Sequence, residues 1–107
     1  MNNIILSTTD NIPGREVSEI IGIARGGTVR ARHVGRDITA AFKSIVGGEI
    51  SEYTKLQAES REQALQRMVE DAKAHGADAV IGIRITTSMI SAGAAEIAAY
   101  GTAVKLH

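Results

Sequence analysis

Apolar and polar residues alternate along the first quarter of this chain, cycle with a helical period through its middle, and alternate again to the end. Ile4 to Thr8 is a short β-prone run, and Asp10-Asn11-Ile12-Pro13-Gly14 behind it is a turn. Asp and Asn accept local backbone bonds there, Pro fixes φ, and Gly allows positive φ. Over Val17 to Ala24 the period is two, which predicts a strand. Val17, Glu19, Ile21 and Ile23 fall on one face of it and Ile20, Gly22 and Ala24 on the other. Gly22 marks a bulge or a close backbone approach. Gly26-Gly27 is expected to break or bend this strand, with Thr28 to Val34 continuing it.

Gly35-Arg36-Asp37 reads as a second turn, with Asp37 as N-cap of a short helix over Ile38 to Val46. Ile38, Ala41, Phe42 and Ile45 form its apolar stripe, and Gly47-Gly48 ends it. Ser51 caps a longer helix predicted to run to about His75. Its stripe is Tyr53, Leu56, Ala64, Met68 and Ala72, widened by Leu65 and Val69. At 1.5 Å per residue it would be roughly 37 Å long, enough to reach across a sheet or onto a neighbour. Gly76 is the expected stop. Ala79, Ile81, Ile83 and Ile85 then alternate with Val80, Gly82, Arg84 and Thr86, Ser91-Ala92-Gly93-Ala94 turns the chain, and Glu96 to Leu106 is the last strand. The order β-β-α-α-β-β predicts one α+β domain over residues 1–107, a mainly antiparallel sheet with a short and a long helix on one face.

Composition sharpens this picture. With three aromatics and no Trp among 107 residues, the core is built of Ile, Val, Leu and Ala and is thin. Burial against copies of the same chain compensates, so a homo-oligomer is expected. Net charge is zero, and each half is close to balanced, with 6 basic and 5 acidic residues over 1–50 and 6 and 7 over 51–107. No nucleic-acid partner is expected from that balance. No run approaches a membrane span and the N-terminus does not read as a signal peptide, so a soluble cytoplasmic protein without a membrane partner is expected. The chain has no cysteine, hence no disulfide, thiolate site or thiol nucleophile.

A set of short segments resembles the YbjQ-like family, small prokaryotic proteins described as heavy-metal-binding. They are Ser7-Thr8-Thr9, Gly14, Gly22, Gly27, Arg36-Asp37, Gly47-Gly48 and Tyr53, followed by Gly76-Ala77-Asp78-Ala79-Val80-Ile81-Gly82 and Gly101-Thr102-Ala103-Val104. Their order and spacing span nearly the whole chain. The resemblance implies an α+β subunit that assembles into a ring-like homopentamer, with a divalent metal ion as its cofactor and no established molecular function.

Read for chemistry, the residues offer two candidate sites. His33, Asp37, His75 and Asp78 are candidate metal ligands, with Glu96 and His107 as further donors. A zinc-like shell needs about four N/O/S ligands, so a site shared between subunits is expected. Arg30, Arg32 and Arg36 are candidate anion-binding residues in the segment Arg25 to Asp37, which a ring would repeat around its axis. Each has a plainer reading. The arginines also suit a solvated strand face, His75 suits a helix C-terminus, and Asp78 suits a turn. No catalytic constellation is identifiable: Ser7-Thr8-Thr9 has no partner base, and Gly26-Gly27 is not followed by the Lys-Ser or Lys-Thr of a phosphate loop. A non-enzymatic binding protein is the favoured reading, with a ligand-free scaffold or an anion binder as alternatives. The small residues Ala94-Ala95 and Ala98-Ala99 are expected at a subunit interface, and Tyr53 and Tyr100 are expected to pack between layers.

Overall fold

A computed structural model of the chain describes residues 3–30, 51–91 and 94–107. Its elements are β1 (Ile5–Leu6), β2 (Val17–Arg30), α1 (Ser51–Ala74), β3 (Ala79–Ser91) and β4 (Ala94–Leu106). The expected short helix over Ile38 to Val46, its flanking turns, and the strand beyond Arg30 lie outside the described residues. The sheet order is β1-β3-β4-β2. The long strands pair antiparallel, as expected, whereas β1 runs parallel to β3 through Ile5↔Ala79 and Leu6↔Val80, so the sheet is mixed.

Helix α1 ends where the glycine predicted. Gly76 has φ +77, and the Ala77 and Gly76 amides donate to the Ala72 and Lys73 carbonyls at 3.1 and 3.0 Å. That is the crossed pair of a Schellman cap, which satisfies carbonyls the helix cannot. Ala64, Met68 and Ala72 are buried on the inner face, with Leu65 packed beside them, as the stripe predicted. Burial of Met68 contributes roughly 1.5–3 kcal/mol. Ser60 joins them, its carbonyl accepting from the buried Thr28 hydroxyl at 3.3 Å. The side chains of Tyr53 and Leu56 lie outside the described set.

Gly26-Gly27 does not break β2, which runs unbroken to Arg30. Its role is contact. A Cβ on Gly26 would stand 2.3 Å from the Met68 nitrogen and 2.5 Å from the Ala64 oxygen. The helix backbone lies directly on the strand there, and small Ser60 and Ala64 are what let it approach.

The long strands are irregular in register, and the bulge that Gly22 marked in the sequence is one of two such places where a glycine takes positive φ. In β2 the register slips between Ile20 and Gly22, and Gly22 takes φ +150. In β3 Gly82 and Ile83 together oppose Gly101, and Gly82 takes φ +62. A bulge inserts a residue and changes which faces follow. Ile21 and Ala24 therefore share the inner face, three apart, while Ile20 and Ile23 point outward at 70% and 73% exposure. Likewise Val80 and Ile83 both approach Gly101, where a Cβ would meet them at 2.6 and 3.1 Å.

Helix α1 covers β2 and β4 and scarcely reaches β3. The core lies beneath it: Ala24, Ile97, Ala99, Ala103, Val80 and Ile83. Ala99 is thus fully buried inside the subunit, which corrects its expected place at an interface: the helix needs a small residue there. Tyr100, its neighbour, points to the opposite face and is exposed rather than packed between layers. Ile85 and Met89 share Ala99's side of the sheet by register but lie largely outside the helix's cover, Met89 at 79% exposure.

Candidate functional site

Among the described residues, the candidate donors His75 and Asp78 stand on either side of the helix cap. His75 sits just past α1, its side chain 62% exposed. Its Nδ1 lies 2.8 Å from the Asp71 carbonyl oxygen and 3.6 Å from the Asp71 carboxylate. A carbonyl can only accept, so Nδ1 carries the proton and Nε2 is left open. A ligating histidine is commonly held in this way by a group behind it. Asp78 is used differently. Its Oδ2 accepts the Leu106 amide at 2.9 Å, its own amide donates to the Val104 carbonyl at 2.9 Å, and its carbonyl accepts from Ile5 at 3.2 Å. Asp78 therefore ties β1, the helix cap and the end of β4 together, through partners far along the chain rather than the nearby backbone its turn reading expected.

Among the described residues no three of His, Cys, Asp and Glu come together as a metal group. His75 and Asp78 are too few donors for the about four a shell needs, so these described residues do not fit a complete shell. His33, Asp37, Arg32 and Arg36 lie outside the described residues. Arg30 ends β2 opposite Ala95. Arg25, at the head of the basic segment, donates its backbone amide to Asp71 Oδ2 at 3.0 Å and stands opposite Tyr100.

The hydroxyls of Ser7 and Thr9 bond each other, and Thr9 Oγ1 also donates to the Asn11 carbonyl. The same segment receives the two amides freed by the β3 bulge, Gly82 to the Thr9 oxygen at 2.9 Å and Ile83 to the Ser7 oxygen at 3.1 Å. Arg84 Nη1 closes it on the Thr8 carbonyl at 3.0 Å. Ser7-Thr8-Thr9 thus closes the bulge, a role that sequence reasoning missed because the bulge is not visible until β3 and β4 pair.

Comparison with known proteins bears on this arrangement. The sequence model of the family described as "YbjQ_1: Putative heavy-metal-binding" matches residues 4–107. A UPF0145 protein of Vibrio campbellii is 59% identical over 103 residues, covering 96% of this chain and 99% of the relative. Another, of Archaeoglobus fulgidus, is 58% identical over 104 residues, covering 97% and 96%. Among solved structures, a Pediococcus pentosaceus protein of unknown function has a similar fold, with a TM-score of 0.55 at 14% identity, covering 97% of this chain and 98% of the other. With the family model spanning nearly the whole chain and relatives this similar at full length, the protein belongs to the YbjQ family.

Proposed function

We propose that the protein is a cytoplasmic, non-catalytic binding protein that works as a homopentamer and holds a divalent metal ion at a site shared between subunits. The observation that carries the assembly is the apolar surface the subunit leaves uncovered: Ile20, Ile23, Val29 and Tyr100 on the sheet face away from the helix, and Ile85 and Met89 beyond the helix's reach. Exposed apolar residues that cluster on a face mark an interaction surface. The shape agrees. The radius of gyration is 16.9 Å and the extents are 54 × 24 × 23 Å, against about 13 Å for a compact chain of this length.

The metal part rests on the family's description and on His75, whose open Nε2 needs donors that the described part of one subunit does not supply. A second reading, a scaffold without a ligand, is favoured by the commitment of Asp78 to backbone. Native mass spectrometry before and after chelation separates the two. A pentamer that carries metal, loses it to chelator and fails to regain it as His75→Ala or His33→Ala supports the shared site. A pentamer that takes up no metal on titration leaves the scaffold, and moves attention to anions at Arg30, Arg32 and Arg36. A monomer overturns the assembly.

A further inference from the structure

We propose that the cleft at the end of α1, bounded by β1, the Gly76–Asp78 turn and Leu106, is a binding site for a small organic carboxylate bearing an apolar chain. The proposal does not rest on the metal or the pentamer. The cleft has a volume of about 650 Å³, within the range of roughly 300–1,000 Å³ typical of small-molecule sites. In a lining that is more polar than apolar, Ile4, Ile5 and Leu106 supply one apolar wall, and Arg15 and Lys73 supply two cations from separate parts of the chain.

The disposition of charge selects the ligand. Oδ2 of the single carboxylate in the lining, Asp78, accepts the Leu106 amide. Three carbonyls of the last helical turn, which would repel an anion, are engaged: Ala72 by the Ala77 amide, Lys73 by the Gly76 amide, and Asp71 by His75. Arg15 is aimed rather than consumed. Its Nε donates to the His107 carbonyl at 3.0 Å, and no bond from its Nη atoms is made among the described residues. The Lys73 ammonium has no partner among the described residues either. A guanidinium held by one nitrogen offers the remaining face to a carboxylate, and an ammonium nearby takes the second lone pair. An inorganic anion would satisfy the cations and leave the apolar wall wet. A carboxylate with a short hydrocarbon chain uses both.

The test is a titration of the ¹⁵N-labelled full chain with hexanoate, followed by amide shifts, with acetate and hexan-1-ol as controls that each carry half of the chemistry. Saturable shifts confined to Ile5, Ala77, Asp78 and Leu106, with both controls at least tenfold weaker, are expected. Lys73→Gln and Arg15→Gln should each weaken hexanoate at least fivefold. Lys73→Gln breaks no bond among the described residues and removes only a last-turn cation from α1, so it should lower the melting temperature by no more than a few degrees, which keeps the test open if Arg15→Gln loosens the chain end. No shift, shifts spread over Ile20, Ile23 and Met89, equal binding of hexan-1-ol, or unaltered binding by Lys73→Gln overturns the proposal.

Discussion

Gly26 shows how a single hydrogen in place of a side chain decides a packing distance. The atoms a Cβ would strike, at 2.3 to 2.7 Å, belong to the backbone of α1 at Ala64, Arg67 and Met68. No rotamer change can relieve that clash, so the whole helix would have to lift. Gly26→Ala is therefore expected to cost about 3 kcal/mol, at the upper end of ordinary overpacking. Urea denaturation would show it as a lower midpoint. A midpoint within experimental error of wild type would mean that α1 does not bear directly on Gly26. Gly76 and Gly82 are needed for a different reason, positive φ at +77 and +62, which side-chain-bearing residues adopt only at a cost.

At the scale of elements, α1 does more than bury an apolar stripe. It also closes the open edge of β2, which is an outer strand of the described sheet. Asp71 Oδ2 takes the Arg25 amide at 3.0 Å, and Arg67 Nη1 donates to the Gly27 carbonyl at 2.6 Å. An unpaired edge is a template for foreign strands, and here two helix side chains occupy it. Each bond contributes about 1 kcal/mol. The double variant Arg67→Ala/Asp71→Ala should lose roughly 2 kcal/mol of stability and gain a tendency to associate through β2. Light scattering during heating, read beside circular dichroism, would register both. Loss of stability with no rise in scattering would mean that the edge is protected by other means.

For the whole molecule, the bulge in β2 matters most. It sets Ile20 and Ile23 together on the sheet face away from α1, where Ile23 lies in register with Thr102 and Ile20 with Val104. Together with an elongated body, this leaves a subunit whose apolar surface is only partly its own core. The variant Ile20→Lys/Ile23→Lys should dissociate the proposed assembly while the subunit keeps a cooperative melt, because exposed substitutions usually change stability by less than about 0.5 kcal/mol. Light scattering coupled to size exclusion gives the mass. An unchanged mass would move the interface to the other exposed apolar side, around Ile85 and Met89. Ala99→Asp, by contrast, should unfold the subunit, since that side chain sits under the helix with no partner for a charge.

Local patterns were enough to locate most of what is periodic or punctuated. The helix from Ser51 and its Gly76 stop, the inner stripe of Ala64, Met68 and Ala72, and the hairpin of the last two strands all follow from residues close in sequence, because caps, amphipathic stripes and hairpins are short-range effects. The pairing of β1 parallel to β3, the unbroken course of β2 and the real purpose of Gly26 do not, since each depends on partners far along the chain. The bulges are the sharpest case. Gly22 and Gly82 could be suspected from composition, but only strand pairing decides that a residue is left over, and that surplus turns Ile20 and Ile23 from alternating members of two faces into neighbours on one. His75 and Asp78 were found by residue type, whereas their uses, one nitrogen left open and one carboxylate committed to Leu106, are fixed by hydrogen-bond partners that the chain brings together only on folding.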